Sequence, residues 1–227
     1  MHPFQLPADV VARVTARRGR PFAFPTLDVK RTALVVIDMQ NAFLAPGAAG
    51  EVPLARAIVP NINRIAAVLR RAGGTVAWVQ VGITPGLPGG GWPVLYGEIF
   101  NPALADKYLA GLTPGSEGYA LWPELETRQG DLIVNKTRFS AFLHGTCDLP
   151  EQLEKRGIDT VIITGTLTNV CCESSARDAM MRGYRVIMVS DANATRGDAE
   201  HMASLVAIHQ VFGDVRHTED LVRLIYE

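Results

Sequence analysis

Short apolar runs alternate with segments of helical periodicity along most of this 227-residue chain. Unbroken apolar runs are typical of strands buried in a parallel sheet, and apolar residues spaced three and four apart are typical of helices that cover one. The pattern predicts strands at 33–37, 75–81, 131–135, 160–164, 185–190 and 214–217. It predicts helices at 54–71, 149–156, 170–182 and 198–212, and one more at the C-terminus. Such alternation indicates an α/β fold, a three-layer α/β/α sandwich around a mostly parallel, Rossmann-like six-stranded sheet.

Two segments depart from this pattern. Residues 1–31 contain four prolines and predict an N-terminal leader that wraps the surface, with one short helix near 9–18. Residues 32–227 then form a single predicted domain. Within it, residues 82–118 are rich in glycine and proline, and so long a connection is usually functional or mobile. Its aromatic residues Trp92, Tyr96 and Phe100 favour a lid over a site, rather than a solvated excursion.

Charge and cysteine content indicate which partners and which cellular location to expect. The 22 basic and 23 acidic residues are well mixed, so no basic patch predicts a nucleic-acid or membrane partner, and a small molecule is the expected one. No apolar run has the length of a signal peptide or of a membrane span. Three cysteines, two of them adjacent, make no useful disulfide framework, which favours a reducing cytoplasmic location.

Candidate chemistry lies where predicted strands end. Asp38 follows the first strand, Lys136 follows the third, and the pair Cys171-Cys172 opens the helix after the fourth. Ligand sites of doubly wound sheets lie beyond the carboxyl ends of the strands. An acid, a base and a thiol at neighbouring strand ends are therefore predicted to converge on one point.

Helical geometry separates the two cysteines. Cys172 begins an apolar stripe that is predicted to pack on the sheet, together with Ala176, Ala179, Met180 and Gly183. Cys171 is rotated by about 100° from Cys172 and is predicted to point away from the core. In the first helical turn, the helix dipole and a nearby Lys136 favour a thiolate, and Asp38 is placed to accept its proton. Cys171 is thus the predicted nucleophile and Cys172 a packing residue.

Three segments together resemble a known superfamily, the isochorismatase-like cysteine hydrolases. The segments read IDMQNAF, NKTRFSAF and GTLTNVCCESSARDAMMRGY, and the resemblance runs from Thr32 to the C-terminus. It implies that Asp38 takes the thiol proton, that Lys136 pairs with Asp38, and that Cys171 attacks a carbonyl carbon to form a thioester-type acyl-enzyme. It also implies homodimers or homotetramers.

The resemblance further implies a cis peptide bond between Thr166 and Leu167. This bond directs the N–H of Leu167 into an oxyanion hole that it shares with the N–H of Cys171, and such donors stabilise a tetrahedral oxyanion by about 3 kcal/mol each. Asn169 and Thr168 are also candidate helix caps. The remaining candidate substrate contacts are Gln40, Asn41, Phe43, Trp92, Tyr96, Phe139 and Asn169.

Departures from the superfamily pattern reduce the number of activities that the sequence allows. Nicotinamidases in this superfamily have an Asp-x-His and a further His after the second strand, whereas the corresponding VQVGITPGLPGGGW has neither Asp nor His. We therefore expect no metal and no cofactor. A dyad of Cys171 with His144 is a weaker alternative. Within the superfamily, the segment NVCCESSARDAMM is most similar to streptothricin hydrolase and to the ureidoacrylate and N-carbamoylsarcosine amidohydrolases.

The predicted activity is therefore hydrolysis of a C–N bond in a small amide, lactam, carbamoyl or ureido substrate by a metal-independent cysteine hydrolase. One alternative is an isochorismatase-type vinyl-ether hydrolase, although such enzymes typically lack this cysteine. The other is a binding protein on a fold that has lost catalysis.

Overall fold

Six parallel strands form one sheet in the order β3-β2-β1-β4-β5-β6 in the computed structural model, which describes residues 1–226. Every neighbouring pair is parallel, so the predicted α/β sandwich is confirmed and the sheet is parallel throughout. The strands are β1 Thr32–Ile37, β2 Thr75–Val81, β3 Leu132–Lys136, β4 Thr160–Thr166, β5 Arg185–Ala194 and β6 Asp214–Arg216.

Helices cover both faces of this sheet. They are α1 Ala8–Arg18, α2 Asn41–Leu44, α3 Val59–Arg71, α4 Pro102–Gly111, α5 Leu149–Glu154, α6 Glu173–Met181, α7 Asp198–Ala207 and α8 Thr218–Tyr226. Alternate residues of β1 enter two separate cores: Leu34 and Val36 pack with α3 and α8, whereas Ala33, Val35 and Ile37 pack with α5, α6 and α7. Burial on both faces explains why β1 reads as an unbroken apolar run.

Three predicted helices contain turns of different pitch. A 3₁₀ turn at Pro53–Ile58 precedes α3, because Pro60 in the first turn of α3 has no N–H to continue an α-helical ladder. A π turn at Thr168–Cys172 precedes α6, and another at Ile208–Phe212 follows α7. The cysteine pair therefore lies in a π turn and not in the first turn of a regular α-helix.

Residues 82–118, which we call the insertion, are more regular than the sequence pattern indicates. They contain a 3₁₀ turn at Pro88–Gly91, a π turn at Leu95–Ile99 and α4. The side chain of Asn101 accepts a hydrogen bond from Leu104 N, and Pro102 follows as the first helical residue. Both are ordinary helix-start signals that could have identified α4. Leu95, Tyr96 and Ala105 form a small core of their own.

The N-terminal residues are anchored at specific points. Val10 and Val14 of α1 are buried, and Arg18 forms an ion pair with Asp214 at 3.0 Å. The side chain of His2 is completely buried. Among residues 1–226, no helix is long and apolar enough to cross a membrane.

The strand order reverses between β1 and β4. From β1 the chain proceeds outward to β2 and β3, and then returns to β4 on the other side of β1. A Cβ atom at Gly165 of β4 would lie 2.1 Å from the carbonyl oxygen of Ile37, so only glycine permits this close approach. In doubly wound sheets the crevice at such a reversal is the usual ligand site.

Candidate active site

Asp38 leaves the end of β1 in an unusual backbone conformation. Its φ is 52°, and it has the one positive φ found at a non-glycine residue in the described chain. Aspartate tolerates this left-handed region better than most residues. The side chain is fully buried, and its Oδ2 accepts a hydrogen bond from Lys136 Nζ at 2.8 Å. Its Oδ1 has no hydrogen-bond partner among residues 1–226 and is free to receive a proton.

Lys136 reaches Asp38 from a greater distance than the sequence suggests. We expected Asp38 and Lys136 to end neighbouring strands, but β2 lies between β1 and β3. The long lysine side chain spans this gap and is completely buried. Its Nζ also donates to the carbonyl oxygen of Arg138 at 3.0 Å. The ammonium is thus held between a carboxylate and a carbonyl oxygen.

Cys171 and Cys172 have different surroundings, although both are buried. Cys171 is 4% exposed and borders a cavity, which corrects the expectation that it points away from the core. Cys172 is 0% exposed, lies away from this cavity, and contacts the carbonyl oxygen of Thr164 through Sγ at 3.9 Å. The predicted packing stripe is wrong at its far end, since Met180 is 38% exposed and Gly183 is exposed, whereas Ala176 and Ala179 are buried.

Burial dominates the electrostatics of the cysteine. It raises the pKa of Cys171, and the negative charge of Asp38 raises it further, while the opposing effect of Lys136 is smaller. The sequence-based expectation of a thiolate favoured by the helix end is therefore wrong. Cys171 rests as a neutral thiol.

The two charged partners are also shifted. Burial raises the pKa of Asp38, although Lys136 and the Cys171 thiol act to lower it. Burial by itself would lower the pKa of Lys136, but the interactions of its ammonium with Asp38 and with Cys171 outweigh burial and raise it. Asp38 is thus a stronger base than an exposed carboxylate, and Lys136 remains charged beside it.

The turn before Cys171 contains the predicted cis bond and a free donor. The peptide bond between Thr166 and Leu167 is cis. The N–H of Leu167 donates none of the hydrogen bonds found within the described chain. Leu167 and Cys171 both line the same cavity. A carbonyl oxygen placed there would lie beside the thiol and an unused N–H.

The cavity next to Cys171 has a volume of about 340 Å³. Four of the predicted contacts line it: Phe43, Trp92, Tyr96 and Phe139. Phe100, predicted only as an aromatic residue of the lid, also lines it, and sequence reasoning missed four further residues of the insertion, namely Leu95, Ile99, Tyr108 and Leu112. It also missed Val81, Val170 and Arg196. The signal available in the sequence was the set of large apolar residues inside a glycine- and proline-rich segment.

The other predicted contacts lie elsewhere. Gln40 is fully buried, and its amide pairs with the backbone of Val81 at 2.8 and 3.0 Å, which ties the loop after β1 to β2. Asn41 donates to the Glu117 carbonyl oxygen at 2.9 Å. Asn169 accepts from the Thr195 hydroxyl at 2.6 Å. These three side chains support the loops and do not line the cavity.

The predicted histidine partner of Cys171 and the predicted helix caps are not found. His144 is exposed and borders a different surface hollow, so the structure does not bring it to Cys171. Neither Thr168 nor Asn169 caps the turn through its side chain, and the Thr168 hydroxyl instead contacts His201 Nδ1 at 2.9 Å. Within residues 1–226, no three His, Cys, Asp or Glu side chains are grouped as a metal site would require.

Comparisons with known proteins give the family and several relatives of this chain. The family model of the isochorismatase domain matches residues 32–220. Ureidoacrylate amidohydrolase RutB of Variovorax paradoxus is 35% identical, over 96% of this chain and 90% of the relative. A cysteine hydrolase from Pseudomonas syringae pv. phaseolicola superposes with a TM-score of 0.79 at 31% identity, covering 90% of this chain and 96% of that one. N-carbamoylsarcosine amidase from Thermoplasma acidophilum gives a TM-score of 0.66 at 28% identity, covering 83% and 97% of the two chains.

Proposed function

The chain belongs to the isochorismatase family of hydrolases, and from this premise we propose that it hydrolyses a C–N bond of a small amide, carbamoyl or ureido compound with Cys171 as nucleophile. The observation that carries the proposal is that the buried Asp38–Lys136 ion pair acts electrostatically on the Cys171 thiol, which lines a cavity where the strand order reverses. A thiol, a base and a cation that holds the base are the parts that nucleophilic acyl transfer requires.

The first half of the reaction forms an acyl-enzyme. Asp38 Oδ1 accepts the proton of the Cys171 thiol as Sγ attacks the carbonyl carbon. The raised pKa of Asp38 suits this task, because a general base works best when its pKa lies near the pH at which the enzyme operates. The oxyanion that forms receives hydrogen bonds from the N–H groups of Leu167 and Cys171. The C–N bond then breaks, and the departing nitrogen takes the proton back from Asp38.

The second half releases the product. A water molecule gives one proton to Asp38 while its oxygen attacks the thioester carbon. The C–S bond then breaks, the acid leaves, and the proton returns from Asp38 to Sγ. Lys136 stays protonated throughout, and its charge stabilises the Asp38 carboxylate whenever Asp38 is ionised. No other reactant is required.

The lining of the cavity supports a substrate that also bears an acidic group. Arg196 is the one charged side chain that lines the cavity within residues 1–226, and it is exposed at the cavity edge. A guanidinium pairs well with a carboxylate. Ureidoacrylate, in the name of the RutB relatives, is a ureido compound with a carboxylate. A ureido or carbamoyl acid is therefore the substrate type that we propose.

The adjacent cysteines provide a matched test. Ammonia release would be measured across a panel of small amides and ureido acids for the wild type, Cys171→Ala and Cys172→Ala. We expect Cys171→Ala to release no ammonia above background. Cys172→Ala should retain activity within about threefold while losing about 1–2 kcal/mol of stability, because it removes one buried sulfur.

Two results would contradict the proposal. Ammonia release that survives Cys171→Ala would remove the thiol from the chemistry. Equal loss in both variants would show that packing at the turn, and not nucleophilicity, explains the sensitivity. Ammonia release by the wild type that depends on Cys171 alone supports the proposal and identifies the class of substrate.

A further inference from the structure

The insertion supplies half of the cavity wall, and that half is apolar. Seven of the fourteen lining residues belong to it, and four of these seven are aromatic. Phe43 and Phe139, from the main body of the fold, extend this aromatic surface. A ureido group or a carboxylate gains little from such walls, because both groups prefer polar partners. The apolar wall therefore needs a further explanation.

The aromatic wall is held together by contacts between its own rings. The rings of Tyr96 and Phe100 lie 5.9 Å apart, and those of Phe100 and Tyr108 lie 5.1 Å apart. Trp92 packs on Phe139 at 4.6 Å, which fixes the insertion to the loop after β3. A wall held by its own packing loses little entropy when it binds a ligand, so its shape selects the ligand.

The cavity is large enough to hold a ring beside the scissile group. Its volume is about 340 Å³. A dry cavity of about 150 Å³ already accommodates a benzene molecule. The space beside Cys171 thus holds a ring as well as the scissile group. A substrate without a ring would leave much of the aromatic surface uncovered.

We infer that the substrate carries a flat apolar group of about phenyl size next to its scissile bond, and that the insertion recognises this group. The inference rests on the proposed function for the scissile bond and adds the chemistry of the neighbouring substituent. Aromatic side chains contact a planar ring through faces and edges, and burial of one phenyl ring raises affinity by about 10–100-fold.

Tyr96 contributes a polar group, its phenol hydroxyl, to this wall. Burial raises its pKa to about 12, with a further contribution from Tyr108, so its phenol stays protonated at neutral pH. A protonated phenol is a hydrogen-bond donor. It orients a substrate that has a carbonyl or ureido oxygen beside the ring.

The test uses two compounds that differ only by a phenyl group, N-carbamoylphenylalanine and N-carbamoylalanine. Their binding to Cys171→Ala is measured by calorimetry, which needs no turnover. We expect the phenyl compound to bind at least tenfold more tightly. Ammonia release by the wild type is then measured with both compounds, and kcat/KM is expected to show the same preference.

Two exposed residues of the insertion give a matched pair of variants. Ile99 is 67% exposed and lines the cavity at its edge, whereas Val94 is 52% exposed and lies outside the lining. Both tolerate a polar substitution because neither belongs to the core. In the Cys171→Ala background, Ile99→Ser is expected to lower the phenyl preference at least threefold, and Val94→Ser to leave that preference unchanged.

The outcomes separate this inference from the proposed function. Equal binding of the two compounds, or measurable binding of neither, would overturn the inference whatever the enzyme hydrolyses. Preferential binding of the phenyl compound, with no Cys171-dependent ammonia release from any compound tested, would overturn the proposed function alone. Equal effects of Ile99→Ser and Val94→Ser would overturn recognition by the cavity wall.

Discussion

The ring of His2 stacks on the ring of His201, with 4.4 Å between centroids and 18° between planes. His2 also contacts Asp198 through Nδ1 at 2.6 Å and the Thr195 backbone through Nε2 at 3.1 Å. His201 in turn contacts Thr168, in the turn that carries Cys171. The N-terminal segment is thereby linked to the nucleophile through two buried rings.

Replacement of His2 should weaken the whole fold. We expect His2→Ala to lower stability by about 2–3 kcal/mol, or roughly 5–10 °C in Tm, because a buried ring and its hydrogen bonds are lost. Thermal unfolding followed by circular dichroism measures this change. His217→Ala is the control, since His217 is 55% exposed. Equal shifts in Tm for the two variants would show that the stack contributes nothing specific.

Stability should fall on mild acidification because of His201. Burial lowers its pKa from 6.5 to about 4 in the folded protein. Between these values the unfolded chain binds the proton and the folded chain does not, so stability decreases as the pH falls from about 6.5 towards 4. Between pH 7.5 and pH 5 the loss is about 2 kcal/mol.

Urea unfolding at these two pH values measures that loss. His201→Gln can still contact Thr168 but has no proton to gain in this range, so its stability should change by about 2 kcal/mol less than that of the wild type. The same pH dependence in both proteins would contradict the assignment to His201.

Replacing one partner of the buried ion pair should lower stability more than replacing both partners. Lys136→Met leaves the Asp38 carboxylate buried without a counter-charge, and Asp38→Asn does the same to the ammonium, so each should lose about 3–5 kcal/mol. The double variant should be more stable than either single variant and still be inactive. Urea unfolding of all four proteins gives the coupling, and additive losses would show that the two charges are independent.

Asp38→Asn should have opposite effects on the alkylation of Cys171 and on turnover. The charge of Asp38 contributes to the raised pKa of the thiol, so its removal lowers that pKa and increases the thiolate fraction. Alkylation of Cys171 by iodoacetamide at pH 8, followed by peptide mass analysis, should therefore be faster in the variant, while turnover is lost with the base. Slower alkylation in the variant would contradict the electrostatic effect of Asp38 on the pKa of the thiol.

Arg138 should hold the insertion against the active site. Its guanidinium donates to the Gly91 carbonyl oxygen at 3.0 Å and lies 4.9 Å from the centre of the Trp92 ring. Arg138→Met keeps the backbone carbonyl that binds Lys136 but loses both contacts with the insertion. We expect amide hydrogens of residues 88–100 to exchange at least tenfold faster in this variant, measured by mass spectrometry. Arg128→Met, at an exposed loop position, is the control and should exchange like the wild type.

The sequence predicted the framework of the site well because strand ends are determined locally. Asp38 and Cys171 follow β1 and β4, two apolar runs whose burial in the sheet was predictable from composition. Lys136 instead ends the edge strand β3, where Ile133 is 56% exposed, and parallel pairing brings the three strand ends to one edge of the sheet. The separate surroundings of Cys171 and Cys172 also followed from local geometry. The burial of Cys171 did not, because it depends on how the insertion covers the turn.

What the sequence could not provide depends on long-range packing. The hydrogen bonds of Gln40 join it to Val81, 41 positions away, so its supporting role is not visible in IDMQNAF. Arg196 lies 25 positions beyond Cys171 and reaches the cavity only because β5 is paired with β4. The raised pKa of Cys171 likewise reflects burial by segments that are distant along the chain.

The wide spacing of the charged pair has a consequence for how the chain reaches its native state. Asp38 and Lys136 are 98 positions apart, and the strand between them must be in place before the lysine can reach across it. Contacts of such long range form slowly, because a large loop has to close first. A folding intermediate with β1 buried and β3 undocked would hold an unpaired carboxylate in its core, which is costly. Active-site assembly is therefore expected among the late steps of folding, and recovery of thiol-dependent activity would report on completion of the sheet.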